Sequence, residues 1–127
     1  MNFTFDSDYF PPIPVIEIYL SLPDQSTKVG PLVGIIDTGA DGTIIPTQYL
    51  TQLGSVYVDD ASIRSQWGEE RVVEMHMVDI RIGNAAIAGV YVVGDDLSNE
   101  IILGRNFLNK LRFLVDGPVL ITKIMNL

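Results

Sequence analysis

The sequence contains no cysteine, one histidine and half as many bases as acids, 8 against 16 in 127 residues. Without cysteine it can form neither a disulfide framework nor a thiolate metal site. The net charge of −8 leaves no basic stripe for phosphates, which argues against nucleic-acid binding. No apolar run approaches the ~20 residues of a membrane-spanning helix, and the acidic, proline-containing start does not resemble a signal peptide. We therefore expect a cytoplasmic protein that binds neither nucleic acid nor membrane.

Apolar residues are abundant, at 47% of the chain against 19% charged, which indicates one packed domain spanning 1–127. Residues 1–14 are predicted to form an extended N-terminal arm. Most other segments are short and alternate apolar with polar positions, as half-buried strands do. Thr47 and Gly54 are the predicted caps of a first helix. Predicted strands are 15–22, 32–36, 56–58, 61–66, 71–82, 86–93, 101–103, 112–115 and 119–124, with a turn at 59–60 and short helices at 47–54 and 105–111. The pattern favours an all-β, barrel-like domain with one or two short helices.

One turn in this pattern is a candidate for chemistry. Residues 32–36 form a short apolar strand, and Asp37 follows it directly in a tight turn that Gly39 permits. A carboxylate at the end of a buried strand is costly unless it is hydrogen-bonded or reactive. A second acid, Asp41, lies four residues further on. Asp37 is therefore the first candidate for a catalytic residue.

Two blocks of the sequence resemble the retropepsin-like aspartic protease family. The first is Asp37-Thr38-Gly39-Ala40-Asp41, preceded by an Ile-Ile pair and followed by Thr43-Ile44-Ile45. The second is Ile101-Ile102-Leu103-Gly104-Arg105-Asn106-Phe107-Leu108. The resemblance implies a single-domain retropepsin-like closed barrel that is active as a two-fold homodimer. It further implies an aspartic endopeptidase that hydrolyses peptide or protein substrates with neither metal nor cofactor.

The resemblance also implies a catalytic group made of Asp37, Thr38 and Gly39. Peptide hydrolysis by carboxylates needs two of them in one site, and this chain has a single Asp-Thr-Gly. The partner acid would then be Asp37 of a second, identical chain across a two-fold axis. Thr38 would hold the two loops in register. Substrate would contact Gly39, Ala40 and Asp41.

Supporting roles are implied for the second block and for a hairpin. Gly104, Arg105 and Asn106 would brace the site, with the Arg105 guanidinium bound to the Asp41 carboxylate. Residues 61–82 would form a flap that closes over the peptide, with Trp67 and Gly68 at its tip contacting substrate. An exposed loop aromatic or a core anchor is the other interpretation of Trp67. The C-terminal segment 119–127 would pair strands across the dimer.

Two other function classes fit parts of the pattern. A catalytically silent member of the family would use the same fold for dimerisation or peptide binding. The other class is a magnesium-dependent phosphatase of the haloacid-dehalogenase type, in which two acids also come directly after an apolar strand. In such phosphatases the acids are two residues apart, whereas Asp37 and Asp41 are four apart, and the chain lacks alternating strands and helices.

Overall fold

The computed structural model describes residues 1–23, 25–64 and 67–127. These residues form ten strands and two helices. The elements are β1 (Asn2–Thr4), β2 (Val15–Ser21), β3 (Lys28–Ile36), β4 (Thr43–Pro46), α1 (Thr47–Leu53), β5 (Tyr57–Arg64), β6 (Glu70–Ile82), β7 (Ala85–Asp95), β8 (Ile101–Leu103), α2 (Arg105–Leu108), β9 (Arg112–Asp116) and β10 (Ile121–Met125). The all-β class predicted from the sequence is confirmed.

Six strands close into a barrel in the order β2-β3-β8-β4-β7-β6. The ring closes because β6 pairs with β7 along one edge and with β2 along the other. β5 pairs with β6 outside the ring and forms a long hairpin with it. A closed ring leaves few exposed strand edges, which removes sites for unwanted strand pairing.

The barrel interior is filled by the alternate residues that the sequence pattern places inward. Ile16, Ile18 and Leu20 of β2 are fully buried, and the intervening Glu17 is exposed. Phe107 of α2 is also fully buried and joins the same cluster. Burying a large apolar side chain contributes about 1.5–3 kcal/mol, so this alternation fixes which face of each strand points inward.

The candidate site depends on the position of β8 between β3 and β4. β8 runs parallel to β3, with Gly34 opposite Ile101, and antiparallel to β4, with Ile44 opposite Ile102. A Cβ on Gly34 would lie 2.6 Å from a methyl carbon of Leu103, so glycine allows the two strands to approach. The chain leaves β3, crosses the end of β8 and returns as β4. The crossing loop, 37–42, contains the first sequence block.

The structure corrects the prediction of a turn at Asp59-Asp60. β5 is continuous through both residues, which lie opposite Met75 and Glu74 of β6, with one irregularity in register between Tyr57 and Asp59. β5 lies outside the ring and is largely exposed, so its acids remain in water and cost little there. Residues 61–64 of the predicted strand 61–66 belong to β5, and its last two residues lie outside the described ranges. β3 begins at Lys28, four residues earlier than predicted.

Both helices are present, with different ends from those predicted. α1 follows β4 without a break, so Pro46 occupies the N-cap position and Thr47 is the first helical residue. Gly54 ends α1 in the left-handed conformation, φ 78°, as the sequence indicated. α2 ends at Leu108 instead of residue 111, because the Lys110 and Leu111 amides bond three residues back and tighten the chain into a turn. Within the described ranges, no helix has the length and apolar character needed to cross a membrane.

The two chain ends form a separate sheet of three strands in the order β1-β10-β9. The predicted N-terminal arm is therefore partly a strand, since Asn2–Thr4 pairs with β10 of the same chain. Further along the arm, Tyr9 donates a hydrogen bond to the Glu100 carboxylate. This bond, partial desolvation and the Glu100 charge raise the pKa of Tyr9 to about 12. The arm is thus attached to the terminal sheet through Asn2–Thr4 and to the segment just before β8 through Tyr9.

Candidate active site

Asp37 lies where β3 ends, at the edge of the barrel. Its backbone N–H donates to the Leu103 carbonyl over 3.1 Å, which extends the β3–β8 ladder by one residue. Asp37 is half-buried, whereas Thr38 and Gly39 are exposed. The carboxylate is therefore fixed by rigid strands on one side and is open to a ligand on the other.

The turn after Asp37 is held by the carboxylate itself. The Gly39 N–H donates to Asp37 Oδ1 over 2.9 Å, and the Ala40 N–H donates to the Asp37 carbonyl over 3.2 Å. A Cβ on Gly39 would lie 3.1 Å from Asp37 Oδ1, so a larger residue would crowd that hydrogen bond. One carboxylate oxygen is thereby oriented by the backbone.

The second sequence block holds loop 37–42 through backbone hydrogen bonds. The Arg105 N–H donates to the Ala40 carbonyl over 2.8 Å, and the Asn106 N–H donates to the Asp41 carbonyl over 3.2 Å. Both amides belong to the first turn of α2, where backbone N–H groups have no partner within the helix. The two blocks recognised in the sequence are therefore brought together by the fold.

The Arg105 side chain has a different acceptor from the one expected. Its guanidinium Nη1 donates to the Thr38 carbonyl over 2.8 Å. The ion pairs among the described residues do not include one between Arg105 and Asp41, whose side chain is exposed. The expected carboxylate contact is thus replaced by a backbone contact, which holds the loop at the residue next to Asp37.

Thr43 has a supporting role that the sequence reasoning missed. Its hydroxyl is fully buried, donates to Asn106 Oδ1 over 2.7 Å and accepts from the Gly104 N–H over 3.2 Å. Asn106 in turn donates to the Tyr91 carbonyl over 2.8 Å. The available signal was a hydroxyl at the start of an apolar strand, where a buried position requires hydrogen-bond partners.

A cavity of about 470 Å³ separates the loop from the β5–β6 hairpin. The loop side of its lining includes Gly39, Ala40 and Asp41, three of the residues expected to contact substrate. The hairpin contributes 62–64, and the remaining lining residues are Gly42, Ile44, Val93 and Arg105. Trp67 and Gly68 lie between the hairpin strands, and the Trp67 side chain is 82% exposed. The cavity is thus bounded by the hairpin that the sequence indicated as a flap.

A family profile described as gag-polyprotein putative aspartyl protease matches residues 28–110 of the chain. The search of curated protein sequences found no match to this chain. The matched segment contains both sequence blocks and the hairpin, and it extends over more than half of the chain.

Several solved structures share the fold at low identity. A retropepsin-like aspartic protease from Rickettsia conorii has a TM-score of 0.67 at 16% identity, covering 96% of this chain and 88% of that one. The EIAV protease, solved with an inhibitor, has a TM-score of 0.59 at 21% identity, covering 77% and 86%. The retroviral protease-like domain of Ddi1 from Leishmania major has a TM-score of 0.52 at 16% identity, covering 91% of each chain. Together with the profile match, they show that the chain belongs to the retropepsin-like aspartic protease family.

Proposed function

We propose that this protein is an aspartic endopeptidase that works as a homodimer, with Asp37 of each protomer in one shared site. The observation that carries the proposal is the position of Asp37, half-buried at a strand end and oriented by Gly39, in a loop whose residues 39–42 line a cavity under a hairpin. A chain with a single Asp-Thr-Gly needs a second copy to supply two equivalent acids.

In the proposed reaction the two carboxyls share one proton, because like charges that close do not both ionise. The ionised Asp37 takes a proton from water, whose oxygen attacks the peptide carbonyl carbon. The neutral Asp37 donates a hydrogen bond to the carbonyl oxygen as negative charge develops there. The C–N bond then breaks, and the leaving nitrogen receives the proton that the ionised Asp37 took from water. No atom beyond substrate, water and the two acids is needed.

The surrounding residues would position the reaction. Arg105 fixes the loop through the Thr38 carbonyl, and small misplacements of a catalytic group reduce the rate strongly. Exposed Gly39 lets an extended substrate backbone approach the acids, and Ala40 and Asp41 line the cavity beside it. The hairpin, with Trp67 and Gly68 at its end, would close over the peptide and exclude water.

The direct test is the Asp37→Asn variant, which keeps the side-chain volume and removes the acid. We expect loss of cleavage of a peptide library, with the fold and the dimer retained. The variant can also be mixed with an equal amount of the unmodified chain, followed by dissociation and reassociation. Relative to the same total concentration of unmodified chain, the mixture should keep about one quarter of the activity if two copies share a site. It should keep about one half if each chain acts alone. Cleavage that persists in the variant would remove Asp37 from the mechanism.

A catalytically silent peptide-binding dimer is the second candidate. It is favoured by the exposed, accessible loop, which would suit binding as well as catalysis. A peptide library that yields no product from acid to neutral pH, while a peptide with a hydroxyethylene in place of the scissile bond still binds, would favour it. The phosphatase alternative is excluded by the fold, since the doubly wound parallel sheet it requires is replaced by a closed barrel.

A further inference from the structure

We propose that this protein selects peptides with a basic side chain, lysine or arginine, within about two residues of the scissile bond. A second cavity, of about 280 Å³, receives that side chain. This arm cavity lies between the N-terminal arm and the barrel, and its lining includes Asp6, Tyr9, Val33, Ile35, Tyr49 and Glu100. The inference rests on the proposed function, because it names the class of substrate that the Asp37 site would take.

The arm cavity lies on the same side of β3 as the catalytic acid. Ile36 packs against the core cluster, so its neighbours Ile35 and Asp37 face out of the barrel. Val33 shares this outward face, and both Val33 and Ile35 line the cavity. Ile35 and Asp37 are two residues apart, about 7 Å along the strand. An extended peptide covers a similar distance in two residues, so a side chain that close to the scissile bond reaches the cavity.

Acids give the arm cavity its charge. Asp6 and Glu100 line it, and none of the described residues in its lining is basic. The ion pairs among the described residues include neither of these two acids. Tyr9 donates to Oε2 of Glu100, and the other carboxylate oxygen can accept from a second donor. A cation that enters the cavity therefore meets two carboxylates.

The rest of the lining suits a cation carried on an apolar stem. Val33 and Ile35 supply aliphatic surface, and Tyr9 and Tyr49 supply aromatic rings, which attract cations. Lysine and arginine bury their methylene stems on such surface and keep the charged end among polar groups. Pockets for separate small molecules start at about 300 Å³. The arm cavity is slightly smaller, which fits one side chain of a longer peptide.

The cavity under the hairpin has the opposite balance of charge. Its lining includes Arg64 and Arg105 together with Asp41. Two guanidinium groups against one carboxylate disfavour a basic side chain there. The two cavities beside the Asp37 loop thus differ in the side chains they accept, and the basic one is directed to the arm cavity.

Peptides that differ at one position test the selection. A library digest supplies a cleaved peptide, and each residue within two positions of the cut is replaced in turn by lysine or by norleucine. Norleucine has the same four-carbon stem without the ammonium group. At one or more of these positions, we expect kcat/KM to be about fivefold to tenfold higher with lysine. Equal values for lysine and norleucine at every position would overturn the proposal.

A double variant tests whether the arm cavity causes the selection. Asp6→Asn with Glu100→Gln removes both charges and keeps the side-chain volumes. We expect the lysine-to-norleucine ratio of kcat/KM to fall below about twofold. A ratio within one peptide pair cancels any general effect of the variant on rate. Asp59→Asn removes one charge from exposed β5, outside the lining of both cavities, and should keep the ratio.

Thermal unfolding checks that each variant folds. A lysine preference that survives in the folded double variant would overturn the assignment to the arm cavity.

Binding measurements separate this inference from the proposed function. Versions of the two peptides with a hydroxyethylene in place of the scissile bond resist cleavage, and calorimetric titration gives their dissociation constants. A chain that cleaves no peptide but binds the lysine version about fivefold tighter would uphold the cavity and overturn the function. An active enzyme with equal constants and equal kcat/KM for both peptides would overturn the inference alone. A chain that neither binds nor cleaves peptide would overturn both.

Discussion

Gly104 packs so closely on Gly42 that a Cβ built on Gly104 would lie 2.1 Å from the Gly42 carbonyl oxygen. The contact joins the start of α2 to the loop that carries Asp37. It is also one-sided, because a Cβ on Gly42 would meet no heavy atom within 4 Å. Neither residue has a positive φ, so the requirement is for space and not for backbone conformation.

This asymmetry predicts different outcomes for two alanine substitutions. Gly104→Ala forces backbone against backbone, and we expect a loss of at least about 3 kcal/mol in the free energy of unfolding, together with loss of activity. Gly42→Ala should fold with a change within about 1 kcal/mol. Urea unfolding followed by circular dichroism measures both. Equal losses in the two variants would contradict the packing described.

The buried hydroxyl of Thr43 is expected to stabilise the whole loop. Thr43→Val keeps the shape but leaves the Gly104 N–H and Asn106 Oδ1 each without a partner, which should cost about 1–3 kcal/mol. Thr51→Val, on the exposed side of α1, is the matched control and should change stability by less than about 0.5 kcal/mol. Thermal and urea unfolding would give the two values. A neutral Thr43→Val would show that these hydrogen bonds contribute little.

The acceptor of Arg105 predicts which of two substitutions reduces activity. Arg105→Met removes the bond to the Thr38 carbonyl, and we expect kcat to fall on the order of tenfold to a hundredfold as the loop loses its position. Asp41→Asn leaves that bond intact, so kcat should change less and any effect should lie in KM, because Asp41 lines the cavity. Steady-state kinetics on one peptide separates the two. A larger loss of kcat in Asp41→Asn would restore the carboxylate as the functional partner.

Two ion pairs on the hairpin should differ in strength because their burial differs. Arg71 bonds the largely buried Asp95 over 2.7 Å and so joins the hairpin to the end of β7, whereas both members of the Arg64–Glu70 pair are exposed. Arg71→Gln should lower the free energy of unfolding by about 1–2 kcal/mol, since it leaves the largely buried Asp95 carboxylate without its charged partner. Arg64→Gln should cost less than about 0.5 kcal/mol. Denaturant titration of each variant tests the difference, and equal values would contradict it.

The pH dependence of cleavage follows from the shared proton. Activity needs one Asp37 ionised and the other neutral, so kcat/KM should fall when acid protonates both and when base ionises both. We expect a bell-shaped profile for the unmodified chain and no cleavage at any pH for Asp37→Asn. A profile with a single limb, or one that persists in that variant, would point to a different catalytic group.

The linear order of residues determined the family and the fold class, and it indicated the candidate site residues. Asp37 with its apolar lead-in and the block around Arg105 are local patterns, and the strands show the alternation that burial imposes within a few residues. Gly54 as the end of α1 was equally local, because a left-handed residue there is a requirement of the helix alone. Such features depend on residues that are neighbours in the chain, so they can be predicted from the sequence.

Contacts between distant segments were decided by the tertiary structure. The acceptor of Arg105 is the Thr38 carbonyl because β8 brings α2 beneath the loop, a placement that charge alone does not specify. Asp59-Asp60 continues a strand because β6 lies alongside it and water covers its other side. The pairing of β10 with both β1 and β9, which leaves the β9 edge open, likewise follows from closure of the chain ends. Each depends on which surfaces meet after folding, and that is set by packing over the whole domain.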